Sequence, residues 1–167
     1  MWSLAVEEQF YLILPFAIIF LWNRRKAAIA LLSVVGIASL SASIWAVSKT
    51  PESAFYLTPF RMWELIAGAL LALARPVKLH DRWLDALSVI GLLLIVGAAI
   101  LYSAATPFPG AAAVPPCLGA LLLIWVGRQG RPIATRLLGA PAMVFIGVRS
   151  YSLYLWHWPL IVFTRLW

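Results

Sequence analysis

The sequence predicts an all-α fold, a polytopic transmembrane helical bundle, and three observations predict it. The 167 residues are 63% hydrophobic and only 11% charged, against about 25% charge in an ordinary soluble domain. A mean hydropathy of +0.93 means more apolar surface than a chain this short hides in a core of its own. The basic residues, finally, are clustered. Ten of the thirteen Lys and Arg fall in three groups: Arg24, Arg25 and Lys26; Arg75, Lys78 and Arg82; Arg128, Arg131, Arg136 and Arg149. Pairs of apolar segments separate these groups, the alternation expected of cytoplasmic loops. The net charge of +7 therefore reads as membrane topology and excludes a nucleic-acid surface as its reason.

Six spans follow from this pattern. The first covers roughly 4–22, the second 27–48 and the third 57–74. Ala86 to Gly127 carries no charge over about twice the ~20 residues that one spanning helix needs. The turn signal TPFPG at 106–110 divides it into spans at 86–104 and 110–127. A sixth runs over 150–167, after a short apolar stretch at 137–148 expected at the cytoplasmic face. Trp2, Trp22, Trp45, Trp83, Trp125 and Trp167 fall near span ends, where amphipathic rings settle at headgroup level. Pro115 and Pro116 predict a short or kinked fifth span, and Pro159 a bend near His157. With Arg24–Lys26 inside, the first span starts outside without a preceding signal segment, so the chain reads as if earlier spans were missing.

Charge inside or at the edge of a span marks a candidate site. Glu7 and Glu8 sit in the outer turn of the first helix. Neighbouring helical residues point about 100° apart, so one of the two faces the bundle. Solvated carboxylates suiting the helix N-terminus are the plainer reading. Arg61 and Glu64 stand three apart, close enough to pair on one helix face. They form either a structural ion pair or an Arg that meets a negative group of a substrate, oriented by Glu64. His157 is the one histidine within a span, and Ser150, Tyr154 and His157 share a face, with Tyr151 adjoining Tyr154. A neutral histidine hydrogen-bonded between helices is the bland alternative to a catalytic one. His80, beside Asp81 in a loop, reads as solvated. The lone Cys117 permits no intrachain disulfide. The four arginines at 128–149 serve topology, or hold the phosphates of a donor such as coenzyme A. No metal-ligand cluster, Gly-rich phosphate loop or nucleophilic Ser-His-Asp order is present.

Four strings, WSLAVEEQFYLILP, TPFRMWELIAGALLAL, FPG and GVRSYSLYLWHWPLI, resemble the acyltransferase-3 family of integral membrane O-acyltransferases over essentially the whole chain. The resemblance implies a bundle of about ten spans, of which this chain holds the C-terminal six. It implies transfer of an acyl group, commonly acetyl, from acyl-CoA as co-substrate to a hydroxyl of an envelope glycan or lipid-linked sugar. No tightly bound cofactor and no nucleic acid are involved, and the location is the inner (plasma) membrane. Glu7 and Glu8 match the family's EEQFY carboxylates, Arg61 and Glu64 its R-x-W-E-L element, and Tyr151, Tyr154 and His157 its Y-S-L-Y-L-W-H box. The family's usual catalytic histidine and arginine are expected upstream of the first box, so the catalytic residues are unknown here; His157 and Glu8 are candidates, but availability alone does not promote His157 to that role. Glu7, Arg61, Glu64, Tyr151 and Tyr154 are the substrate-binding candidates. A transporter or flippase-like bundle with Glu8, Arg61, Glu64 and His157 along its path is the alternative, and a non-catalytic remnant is a third.

Overall fold

Small residues decide where the helices of this chain cross. The computed structural model describes residues 2–21, 24–75, 77, 79–103 and 105–166, with the side chains of 2–5, 13, 17–18, 20–21 and 166 left aside. Eight α-helices and no strand occur among them: α1 (Trp2–Leu21), α2 (Arg25–Lys49), α3 (Pro51–Tyr56), α4 (Met62–Leu73), α5 (Asp81–Leu101), α6 (Val114–Gly127), α7 (Ile133–Leu138) and α8 (Pro141–Leu166). Two 3₁₀ turns, Thr58–Phe60 and Gly110–Ala113, lead into α4 and α6. Three helical stretches are long and apolar enough to cross a membrane: Arg25–Lys49, Asp81–Leu101 and Gly110–Gly127. The chain is a membrane protein of the all-α class.

Helix α5 packs on α6 where Gly91 meets Gly119. A Cβ on Gly119 would lie 2.5 Å from the Gly91 carbonyl, and one on Gly91 would lie 2.9 Å from the Gly119 carbonyl. Only hydrogen at both positions allows backbones so close, the usual device for packing helices in lipid. Helix α2 meets α4 through Gly36, where a Cβ would stand 3.1 Å from Ile66. Ile66 is 2% exposed, so this contact anchors α4. Gly110 adopts a positive φ of 41° and rests against Val47 and Ile44 of α2, a backbone conformation that glycine takes without strain.

Arg25 and Arg128, from two of the basic groups, meet at one end of α4. Arg25, at the start of α2, donates to the Leu73 carbonyl, and Arg128, just past α6, donates to the Leu71 carbonyl at 2.9 Å. Both guanidiniums thus meet carbonyls at the C-terminal end of α4, Leu71 accepting from the Ala74 amide as well, where positive charge also suits the helix dipole. Helix α7 is held against α5. Its first amides, Ile133 and Ala134, donate to Asp85 Oδ1 at 2.9 Å and Ser88 Oγ at 3.3 Å on α5. Lys78 lies outside the described residues, as do Trp22, Trp167 and the side chain of Trp2. Trp45 and Trp83 are 63% and 65% exposed near helix ends, as rings at a headgroup level would be.

Several element limits differ from expectation, each for a local reason. The span expected at 57–74 is a 3₁₀ turn followed by a helix of 12 residues, because Pro59 lies in the turn and not in the helix. The span expected at 86–104 is α5, which starts at Asp81. Its N-cap, His80, accepts from the Arg82 amide at 3.4 Å, so the ring has a capping contact beyond solvation. Pro115 and Pro116 occupy the first turn of α6, where they fit without a kink. The sixth helix is not confined to 150–167. It runs unbroken from Pro141, with no breaker between there and Ser150 to separate a surface segment at 137–148. The short surface helix is α7 instead. An unexpected helix, α3, starts on Pro51 with Glu52 in its first turn, a start signal present in the sequence.

Candidate active site

Helix α4 starts without a cap of its own. Arg61 is its N-cap residue and makes no side-chain capping bond, so the first amides need partners from elsewhere. Ser39, 7% exposed on α2, supplies one. Its hydroxyl accepts from the Trp63 amide at 3.1 Å and donates to the Pro59 carbonyl at 2.5 Å. These two bonds clamp the backbone on either side of Arg61. On the other flank, Thr58 Oγ1 donates to Gln9 Oε1 of α1 at 2.5 Å, bringing the outer turns of α1 to the same place.

The clamp holds an ion pair. Arg61 Nη2 lies 3.2 Å from Glu64 Oε2, with the two side chains 20% and 24% exposed. Both face a cavity of about 50 Å³ lined by Val6, Glu7, Arg61, Glu64 and Leu65. Room of that size takes a water or one small group, since a water occupies about 30 Å³ of the liquid. Glu64 Oε1 is buried and has no hydrogen-bond partner among the described residues. A buried acceptor left in that state costs about 1–3 kcal/mol. Two acidic side chains and one guanidinium thus line the cavity.

The structure divides the residues singled out in the sequence. Glu7, Arg61 and Glu64 meet at this cavity, with Val6 and Phe10 of α1 buried beside Glu7. Glu8 is exposed on the other side of α1. Helix geometry thus turns one of the two adjacent carboxylates inward, and it is Glu7. His157 does not reach the cavity. It is exposed on α8, its Nδ1 against the carbonyl of Tyr154, and the two rings lie 5.3 Å apart. Tyr151 is 59% exposed, as are Trp156 and Trp158 at 66% and 56%. Helix α8 packs chiefly on the short α7, so the YSLYLWHWP box stands apart from the EEQFY box. Ser39 and Thr58 were missed in the sequence, since Ser39 is one of several serines on α2 and its partners are distant in the chain. Among the described residues no three His, Cys, Asp or Glu side chains gather as a metal site requires.

A second cavity, of about 440 Å³, is lined by Asp81, Asp85, Gly130, Arg131, Pro132 and Arg136, among others. Arg136 Nε donates to the Arg131 carbonyl at 2.5 Å, which orders the two arginines together. Asp85 is engaged by the Ile133 amide.

Three helical stretches able to span a bilayer, with an ion pair at a small cavity between α1 and α4, define an integral membrane protein with a part-buried polar site. The chain belongs to the acyltransferase domain family, which matches residues 1–167, in agreement with the resemblance carried by its motifs. Among curated relatives, it is 29% identical over 180 residues to the peptidoglycan O-acetyltransferase OatA of Listeria monocytogenes, covering 98% of this chain and 29% of that protein. It is 32% identical over 163 residues to the putative membrane-bound transacylase BcsY of Komagataeibacter xylinus, covering 96% of this chain and 40% of that protein. The O-acetyltransferase OatA of Staphylococcus aureus is 32% identical over 182 residues, 99% of this chain and 30% of its own length. The chain thus spans between 29% and 40% of the length of these relatives. No solved structure matches it.

Proposed function

We propose that this chain contributes the acceptor-binding part of a membrane O-acyltransferase. In this reading an acyl group, with acetyl favoured by the names of two relatives, passes from an acyl-CoA thioester to a hydroxyl of a cell-envelope glycan. The observation that carries the reading is the Arg61–Glu64 pair, which lines a small cavity together with Glu7. The acceptor hydroxyl donates its hydrogen bond there, with Glu7 on the opposite wall. As a base removes the hydroxyl proton, the oxygen attacks the thioester carbonyl, and the C–S bond breaks with its electron pair leaving on sulfur, which takes up a proton. Arg61 steadies negative charge on the attacking oxygen, and the enclosed geometry supplies orientation.

The donor's phosphates are assigned to Arg131 and Arg136 beside the larger cavity, and the location to the inner membrane. Glu8, His157, Tyr151 and Tyr154 lie outside the cavity, so this reading gives them no contact with the reacting hydroxyl. Family membership favours acyl transfer over translocation as the use of the enclosed charges.

The test is glycan O-acetylation in cells carrying Arg61→Ala or Glu64→Gln in the intact protein, with its membrane level measured alongside. Loss of acylation at a normal membrane level is the expected result. Normal acylation in both variants overturns the reading, and loss of the protein itself marks the ion pair as structural.

A further inference from the structure

We infer that the C-terminal end of α4 is a binding site for an anionic phospholipid of the leaflet at that end. Between α4 and α6 runs a groove of about 250 Å³, walled by Gly68, Leu71, Ala72 and Ile124 and closed at its end by Arg128. Ile124 is 57% exposed and Gly68 and Ala72 are exposed, so the groove is open at the surface of the described residues. Its walls are aliphatic, which fits an acyl chain. Its end is cationic, which fits a phosphate.

The cationic end is built with some care. Arg128 Nη1 is held by the Leu71 carbonyl at 2.9 Å, and Arg25 Nη2 by the Leu73 carbonyl two residues further on. Each guanidinium carries five N–H donors and spends one nitrogen on this anchorage. The remaining edges present forks of the kind that bind phosphate oxygens in pairs. Arg24 and Lys26 flank Arg25 in the sequence. Asp81 and Asp85 line the separate cavity with Arg131 and Arg136. The charge at the groove is therefore positive, as the anionic cytoplasmic leaflet requires. The site lies at the opposite end of α4 from the Arg61–Glu64 cavity and does not depend on the acyl-transfer reading.

Gly68 provides a clean test, because no atom of the described residues stands within 4 Å of where its Cβ would be. Gly68→Leu adds an apolar side chain to the groove wall from a position open at Cβ and improves helix propensity. The intact chain is purified in mild detergent, and thermal unfolding and lipid retained in native mass spectrometry are followed on adding dioleoyl phosphatidylglycerol, dioleoyl phosphatidylcholine or free coenzyme A. Phosphatidylglycerol is expected to raise the unfolding temperature and to be retained, with phosphatidylcholine and coenzyme A having little effect. Arg128→Gln should weaken phosphatidylglycerol retention about fivefold, the worth of one cation near a charged headgroup. Gly68→Leu should fold at least as stably and lose the response. Equal stabilisation by phosphatidylcholine, stabilisation by coenzyme A in place of phosphatidylglycerol, or an undiminished response in Gly68→Leu each overturns the inference.

Discussion

The two ends of α4 solve one problem in different ways. Neither end has a side-chain cap of its own, and each borrows from neighbouring helices. At the N-terminal end the lender is Ser39, a neutral hydroxyl buried on α2 that serves both the Trp63 amide and the Pro59 carbonyl. At the C-terminal end the lenders are two exposed guanidiniums, Arg25 and Arg128. The difference follows from surroundings. A neutral group costs little to bury beside an ion pair, whereas a second cation there would compete with Arg61 for Glu64. At an exposed face a guanidinium keeps contact with water on some of its five donors and still reaches the carbonyls of Leu71 and Leu73. One end is thereby arranged to fix a charge pair at a cavity, and the other to sit in a charged interface.

Breaking the first end should have the larger consequences. If Arg61 steadies the attacking oxygen as proposed, Arg61→Ala should lower the transfer rate about 10²-fold. Its cost in stability should stay near ~1 kcal/mol, because the pair is partly exposed and so screened. Transfer assays on reconstituted protein with parallel thermal unfolding separate the two effects. Ser39→Ala deprives a buried amide and a carbonyl of their partner together, which should destabilise the fold by about 1–3 kcal/mol. Transfer should fall with it, since the Arg61 backbone is then held on one flank only. Ser39→Thr, which keeps the hydroxyl, should recover most of both.

The second end should respond more weakly. Arg128→Gln is expected to cost about 0.3–1 kcal/mol, the usual worth of a cation at a helix C-terminus. Added salt should shrink the difference between variant and parent, whereas Ser39→Ala should be insensitive to salt. His157→Gln belongs to neither end and tests whether the separation of α8 matters. A Gln amide meets the same local demand for a hydrogen bond to the Tyr154 carbonyl, so transfer within about twofold of the parent is expected, well under the ~1.4 kcal/mol of a tenfold change. A loss as large as that of Arg61→Ala would place the imidazole among the reacting groups.

How far the sequence led can be seen from these same residues. The all-α membrane class was legible in composition, and the common end of Arg25 and Arg128 in the alternation of basic groups with apolar segments. The Arg61–Glu64 pair was legible from its spacing, because three residues is a local distance. For Glu7 and Glu8 the helix repeat says that one turns inward, but only the packing of Val6 and Phe10 decides which. Ser39 was illegible, since its two partners lie 20 and 24 residues away and no local pattern marks such a reach. The YSLYLWHWP box shows the opposite failure. Its residues share a helix face as expected, yet a shared face does not say what that face packs against, and in the structure α8 leaves His157 exposed. The start of α4 was misjudged because Pro59 suits a 3₁₀ turn as well as a helix start.

The central claim is that Glu64 Oε1 receives the acceptor hydroxyl. The most direct measurement is the acceptor-concentration dependence of transfer by Glu64→Gln in the intact reconstituted protein, at a saturating donor. The account predicts a raised KM for acceptor with the donor KM unchanged, together with a lower kcat. An acceptor KM equal to that of the parent protein, in a variant that folds normally, would contradict it.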